Sequence, residues 1–186
     1  MSAFLLTPPA TEPLTLAEAK QFLRVEHTED DAMIVSLIVA ARTQVETMAR
    51  SALIAQTWRF VRDAWPQDGR IALKRGPLIS VQAARVLDGE RASIDIDPET
   101  FVLDKASWSL AAPAWTLPIP GRRIAAIELD VVLGFGTTET SVPEPLRQAV
   151  RQLTAHWYDN RGLMQGVAAI LPGLWPLIAP YRALSL

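Results

Sequence analysis

The sequence predicts an α+β fold: an N-terminal helical hairpin, an antiparallel β meander, a third long helix and a short helical C-terminal tail. Three observations carry this. Apolar residues recur at helical spacing in the first fifty residues and again after Ser141. Between Thr57 and Phe135 the period falls to two, in short runs parted by turn residues. Helices therefore come first, strands next and helices last, with no repeat and no low-complexity tract.

The elements follow in chain order. Residues 1–14 are proline-rich and read as an extended arm. Thr15 with Glu18 three positions on makes a capping box for helix one, whose Leu16, Ala19, Phe22 and Leu23 share a face. Thr28, followed by Glu29, Asp30 and Asp31, opens helix two, where acidic side chains suit the positive end of the helix dipole. Ile34, Leu37, Ile38, Ala41, Val45 and Met48 keep helical spacing along it, so the two helices should pack as a hairpin. Strand alternation follows at Trp58–Phe60, Ile71–Leu73, Ile79–Ala83 and Ile94–Ile96, then at Phe101–Asp104 and Ser107–Ala111. A loop with Pro113, Pro118 and Pro120 precedes the longest expected strand, Ile124 to Phe135. Helix three is expected from about Ser141, capped by a Ser141–Glu144 box with Pro143 in its first turn, to about Tyr158 before Asn160-Arg161-Gly162. The segment from Ala168 is apolar and carries Pro172, Pro176 and Pro180, compatible with one or two helical turns. On this reading residues 1–162 form the main domain and 163–186 a tail.

Composition bounds the function. A chain of 186 residues with 49% hydrophobic and 20% charged side chains can bury a sizeable core. No cysteine is present, which excludes disulfides, thiolate metal sites and a cysteine nucleophile. A net charge of −2 argues against a protein built to grip a phosphate backbone. The N-terminus lacks the pattern of a signal peptide, and the proline-broken apolar tail is too short to span a bilayer, so a soluble intracellular protein without membrane contact is expected.

Four stretches invite chemical readings. Gly134-Phe135-Gly136 follows a strand and precedes a helix, as in nucleotide-binding loops. However, Glu128 and Asp130 place two carboxylates on one strand face, the third glycine of the dinucleotide fingerprint is missing, and no Gly-Lys-Ser/Thr follows. A chain-turning corner is the better reading. Asp88, Glu90, Asp95, Asp97, Glu99 and Asp104 could gather a cation, but the EF-hand spacing is absent and Ile94 and Ile96 impose strand alternation on their neighbours. His27 and His156 are the only histidines; His156 can pair with Asp159 on a helix, and no nucleophile elbow or His-Glu-x-x-His motif accompanies either. Lys74-Arg75 and Arg122-Arg123 are the only adjacent basic pairs and read as surface charge at loops or strand edges. No catalytic set and no cofactor or metal site emerges. The apolar tail either folds over its own domain or inserts into a neighbour's groove.

Three stretches taken together resemble the head–tail connector (neck adaptor) family of tailed phages and gene transfer agents. They are LTLAEAKQFLRVEHTEDDAMIVSLIVAARTQVE, LDVVLGFGTTETSVPEPLRQAVRQLTAHWYDNRG and APYRAL, which bracket most of the chain. The resemblance implies a structural adaptor in the virion neck, assembled in the bacterial cytoplasm. Such an adaptor forms a ring of about a dozen copies whose contacts are heterologous and close by rotation. Implied partners are the portal protein, neighbouring copies in a 12-mer, and a tail-side neck or stopper protein, with DNA passing only as transient cargo. Carried onto this chain, Lys20, Arg24, Asp31, Arg42, Arg147 and Arg151 become ring-interface candidates. Leu171, Leu174, Trp175, Ile178, Tyr181 and Arg182 become portal-docking candidates. Trp115, Arg122 and Arg123 become candidates for channel- or tail-facing loops. The alternatives are a small metal-binding enzyme using the acidic 88–104 stretch, or an intracellular interaction module with another partner.

Overall fold

The computed structural model describes residues 2–87, 92–160 and 171–182. Strands β1 (Ser2–Thr7), β2 (Gln56–Arg62), β3 (Arg70–Ala72), β4 (Leu78–Leu87), β5 (Ser93–Ile96), β6 (Val102–Asp104), β7 (Ser109–Ala111) and β8 (Ile127–Leu133) accompany helices α1 (Leu16–Leu23), α2 (Asp31–Ala49), α3 (Glu144–Asp159) and α4 (Leu171–Ile178). They group into two compact units: residues 1–9 with 55–134 hold the strands, and residues 10–54 with 135–186 hold the helices. The α+β prediction holds, with short 3-10 turns between several elements.

The strand unit contains a five-stranded sheet in the order β1-β2-β8-β4-β5 and a three-stranded sheet β3-β7-β6. Every pairing is antiparallel, as the short alternating runs predict. The order is not sequential, because β8 slots between β2 and β4. The expected N-terminal arm is an edge strand: β1 pairs with β2 from Ser2↔Val61 to Thr7↔Thr57. Strand β8 is shorter than Ile124–Phe135. Ala125, at φ 51°, breaks the extended backbone on one side and Gly134, at φ 146°, on the other. The longest strand is instead β4, at 10 residues. Register shifts between Leu78 and Ser80 and between Val81 and Ala83 change its phase. Its buried residues are Leu78, Ala84 and Val86, while the alternating Ile79, Val81 and Ala83 are half-buried. Phe60, Ile71, Leu110, Ile127, Leu129, Val131 and Leu133 complete the core of this unit.

The helical unit is built on α2 and α3. Ile34, Ile38, Ala41, Val45 and Ala49 of α2 meet Leu146, Ala149, Val150 and Leu153 of α3 in one apolar cluster. By length and composition α2 could cross a bilayer, but that apolar stripe is the core of its unit. The capping box on α1 forms as the sequence predicts: Thr15 Oγ1 accepts from the Glu18 N–H at 3.2 Å, and Glu18 Oε2 accepts from the Thr15 N–H at 3.0 Å.

The box expected at Ser141 and Glu144 does not form. Residues before proline are pushed away from helical backbone, so Val142 stays extended at ψ 130° and the helix begins only at Glu144, with Pro143 as its N-cap. Ser141 Oγ contacts Thr138 Oγ1 at 2.9 Å instead. Helix α2 likewise starts at Asp31 rather than Thr28, with no side-chain cap. Its acids serve tertiary contacts: Asp30 accepts from the Tyr158 hydroxyl at 2.6 Å, and Asp31 pairs with Lys20 at 2.6 Å.

Candidate functional site

The residues that the resemblance implies for assembly fall in both units. In the helical unit, five of the six ring-interface candidates lie in ion pairs of the chain itself: Lys20 and Asp31 with each other, Arg42 with Glu12 and Glu46, Arg147 with Glu18 and Glu144, and Arg151 with Glu144. Arg24 is the C-cap of α1, at φ 56°. The Arg42 cluster is the most enclosed. Arg42 Nε sits 2.7 Å from Glu12 and its Nη1 2.9 Å from Glu46, whose other carboxylate oxygen accepts from the Leu53 N–H at 2.8 Å. Glu46 thus secures the turn that ends α2.

Around the start of α1 and α3, Arg147 donates to Glu18 at 2.6 Å, to Glu144 at 3.0 Å and to the Pro13 carbonyl at 3.0 Å. Partial burial pushes the Glu18 carboxyl up, but the Thr15 N–H and the Arg147 guanidinium outweigh it and hold the pKa below its ordinary value. The Glu144 carboxyl is lowered chiefly by its hydrogen bond from Arg151. Arg147 is raised: burial works against its charge, and Glu18 and Glu144 overcome that.

In the strand unit, the carboxylates that spoke against a nucleotide loop have partners on both neighbouring strands. Arg59 on β2 donates to Asp130 at 2.6 and 2.8 Å, and Arg85 on β4 reaches Asp130 at 3.2 Å. Glu128 lies 3.1 Å from Arg59. The Asp130 hydrogen bond is the main reason that the Arg59 pKa is raised. The loop between β7 and β8 carries the three channel- or tail-facing candidates. Trp115 is 88% exposed, and Ile119 and Ile124 are 90% and 78% exposed. Arg123 is exposed, while Arg122 donates to the Ala125 carbonyl. Trp65 Nε1 ties the loop down at the Pro118 carbonyl, 2.9 Å away.

The tail divides in two. Leu174 and Ile178 are fully buried in the core of the helical unit, so this part of the segment folds over its own domain. Tyr181 packs partly against the same cluster, edge-on to Phe135 with ring centres 6.2 Å apart, and its carbonyl accepts from Ser51 at 3.0 Å. Trp175, 44% exposed, and Arg182, whose guanidinium lies 5.4 Å from the Trp175 ring centre, face outward. Leu171 begins α4. Thr47, Met48, Arg50, Pro172, Trp175, Pro176 and Arg182 line an open groove of about 800 Å³. Arg50 has no distinguishing sequence signal, and Met48 reads only as part of the apolar spacing of α2. They reach the groove because α2 ends beside the tail, a proximity that only the fold supplies.

The remaining stretches with a chemical reading have local structural explanations. Gly134 needs its positive φ, and a Cβ on Gly136 would come within 2.5 Å of Ser141 Cβ, so both glycines have structural work at the corner. Asp97 caps a 3-10 turn through the Glu99 N–H, and Asp104 is lowered chiefly by the Ser107 hydroxyl and N–H. Asp88 and Glu90 lie outside the described residues, as do Arg161, Gly162, the 162/163 boundary and the last residues of APYRAL. Among the described residues no three His, Asp or Glu side chains are grouped to hold a metal ion. His27 contacts Glu29 at 3.0 Å, and His156 near the end of α3 has Asn160 beside its ring at 3.4 Å. Arg75 of the other basic pair lies over the Trp58 ring at 4.3 Å.

The described residues thus form an ion-paired helical unit, an antiparallel strand unit and a tail helix with one buried and one outward side. Residues 13–84 match the model of the phage gp6-like head–tail connector protein family. Over its whole length the chain is similar to chains of gene transfer agent particles. It covers 100% of itself and 97% of a chain in the neck of an empty gene transfer agent particle computed with C6 symmetry, with TM-score 0.83 and 27% identity. It matches a chain of the native gene transfer agent virion at TM-score 0.82 and 28% identity, with the same coverage. The neck of a native particle computed with C12 symmetry gives 0.81 and 27%, again with 100% and 97% covered. No curated protein matches the chain significantly.

Proposed function

We propose that this chain is a structural head–tail adaptor in the neck of a gene-transfer-agent-like or phage particle, joining the portal side to the tail side. The observation that carries the reading is likeness along the whole chain, at TM-score 0.83, to a neck protein of a gene transfer agent. On this reading the chain is a virion component. The expected alternative of a metal-binding enzyme loses its footing where Asp97 and Asp104 are spent on turns.

Within this role copies join in a ring, twelve being favoured by the C12 symmetry of one similar neck. Lys20, Arg24, Asp31, Arg147 and Arg151 contribute the ring-facing charge, while the buried Arg42 supports that face from within through Glu12 and Glu46. The Glu144 side chain, 62% exposed beside Arg147 and Arg151, leaves that network open for sharing with a neighbouring copy. Trp175, on the helix that Leu171 begins and Leu174 and Ile178 anchor, meets the portal together with Tyr181 and Arg182 of the turn that follows. The exposed Trp115, with Arg122 and Arg123, faces the channel or a tail-side stopper protein. A net charge of −2 suits a conduit that must let DNA slide past without holding it. The 1–162 and 163–186 division is then one of role, assembly body and docking tail.

Cryo-electron microscopy of the full chain mixed with the portal protein of its own genome tests the reading. A ring seated on the outer end of the portal, with Trp175 and Arg182 at the contact, is expected. Bare portal rings beside a folded, unassembled chain would overturn it.

A further inference from the structure

The groove between the end of α2 and the tail helix has a chemistry of its own. Its walls are the rings of Pro172, Pro176 and Trp175 and the thioether of Met48. Thr47 adds only its methyl group, since its hydroxyl donates back to the Thr43 carbonyl at 2.8 Å. Among the described residues no carboxylate lines it, and the two charged residues that do are arginines, Arg50 and Arg182. This contrasts with Arg42, Arg147 and Arg151 of the same unit, each of which faces a carboxylate within the chain. Both groove arginines are anchored near their backbones. Arg50 is the left-handed C-cap of α2 at φ 51°, and Arg182 ends the last 3-10 turn with its guanidinium over Trp175.

We propose that this groove receives an extended acidic peptide segment of the portal-side partner, with an apolar side chain laid on Trp175 and the prolines and carboxylates held by Arg50 and Arg182. The inference rests on the adaptor reading for the identity of the partner, and on charge complementarity for its chemistry. Guanidinium groups bind carboxylates through paired, directional hydrogen bonds. A tryptophan beside a bound carboxylate supplies apolar area and excludes water from the pair. On this view the tail does not simply insert into the portal: it forms, with α2, the receiving side of the contact.

The test uses the full chain and two acetylated hexapeptide probes, one alternating glutamate with leucine and one alternating lysine with leucine. Indole resonances are followed by NMR, with Trp175 assigned by comparison with Trp175→Phe. A saturable shift of the Trp175 indole with the glutamate probe and none with the lysine probe is expected. R50E/R182E, which alters two outward side chains, should weaken the glutamate probe at least about tenfold and gain binding of the lysine probe. Equal shifts with both probes, no shift, or an unchanged preference in the folded double variant would overturn the groove assignment. In parallel, a photo-crosslinking side chain at Thr47 is mixed with the portal. A crosslink to an acidic portal segment supports both readings. Portal binding with a crosslink elsewhere, or to the chain's own residues, rejects the groove and leaves the adaptor standing. Probe binding without portal binding rejects the portal as partner and keeps the acidic specificity.

Discussion

Asp130 lies on the central strand β8, 7% exposed, between Arg59 at 2.6 Å and Arg85 at 3.2 Å. Removing its charge leaves two guanidinium groups, 21% and 29% exposed, to share Glu128 alone. A fully buried ion pair broken on one side costs about 3–5 kcal/mol, and partial solvent access to the arginines reduces this. Asp130→Asn should therefore cost about 2 kcal/mol in urea unfolding, with the sheet retained by circular dichroism. Titration gives a second residue-scale expectation. The pKa values of Glu18, Glu144 and Asp104 are all lowered by folding. A carboxyl lowered in the folded state adds stability that is complete above its unfolded value. That stability is lost as the pH falls through the folded one. The melting temperature should thus stay level from neutral pH to about 5 and fall steeply below about 4. Glu144→Gln should start lower at neutral pH and show a shallower acid limb.

Elements were legible wherever their determinants are local. The Thr15–Glu18 box is a matter of three residues and forms as predicted. The same pattern at Ser141–Glu144 fails because Pro143 controls the backbone of Val142, a competing local rule of greater strength. The phase of β4 was not legible: the alternating Ile79, Val81 and Ala83 are half-buried, while Leu78, Ala84 and Val86 are buried in a strand with two register shifts. Nor were the partners of Glu128 and Asp130, because Arg59 and Arg85 reach them only through pairing across β2, β8 and β4. The candidate site follows the same rule. Trp175 and Arg182 stand out in a proline-punctuated tail, whereas Arg50 belongs to the groove only because α2 ends there. The corner after β8 was readable from its glycines, and it can be tested. Gly134 holds φ 146°, which an alanine adopts only with strain. Gly134→Ala should cost roughly 1–3 kcal/mol by thermal or urea unfolding. A neutral result would mean that the corner relaxes.

For the whole molecule, the question is whether the tail belongs to the fold or to the assembly, and α4 answers with different residues on its two sides. Leu174 and Ile178 have no solvent exposure and lie in the same cluster as Ile38, Val45 and Leu153. Trp175 and Arg182 face the groove. Truncating the chain at residue 170 would therefore remove core and contact together, and lost docking would be uninterpretable. Point variants separate the two. Leu174→Ala should cost about 2–5 kcal/mol, the range for emptying a buried leucine site, while portal decoration persists at temperatures where the variant is folded. Trp175→Ala with Arg182→Ala should leave the unfolding midpoint within about 1 kcal/mol, since both side chains are outward. The same double variant should lose portal decoration by negative-stain microscopy. If the double variant still coated portal rings and Leu174→Ala alone abolished coating, the tail would serve the adaptor only by completing its helical core, and the portal contact would have to lie elsewhere on the molecule.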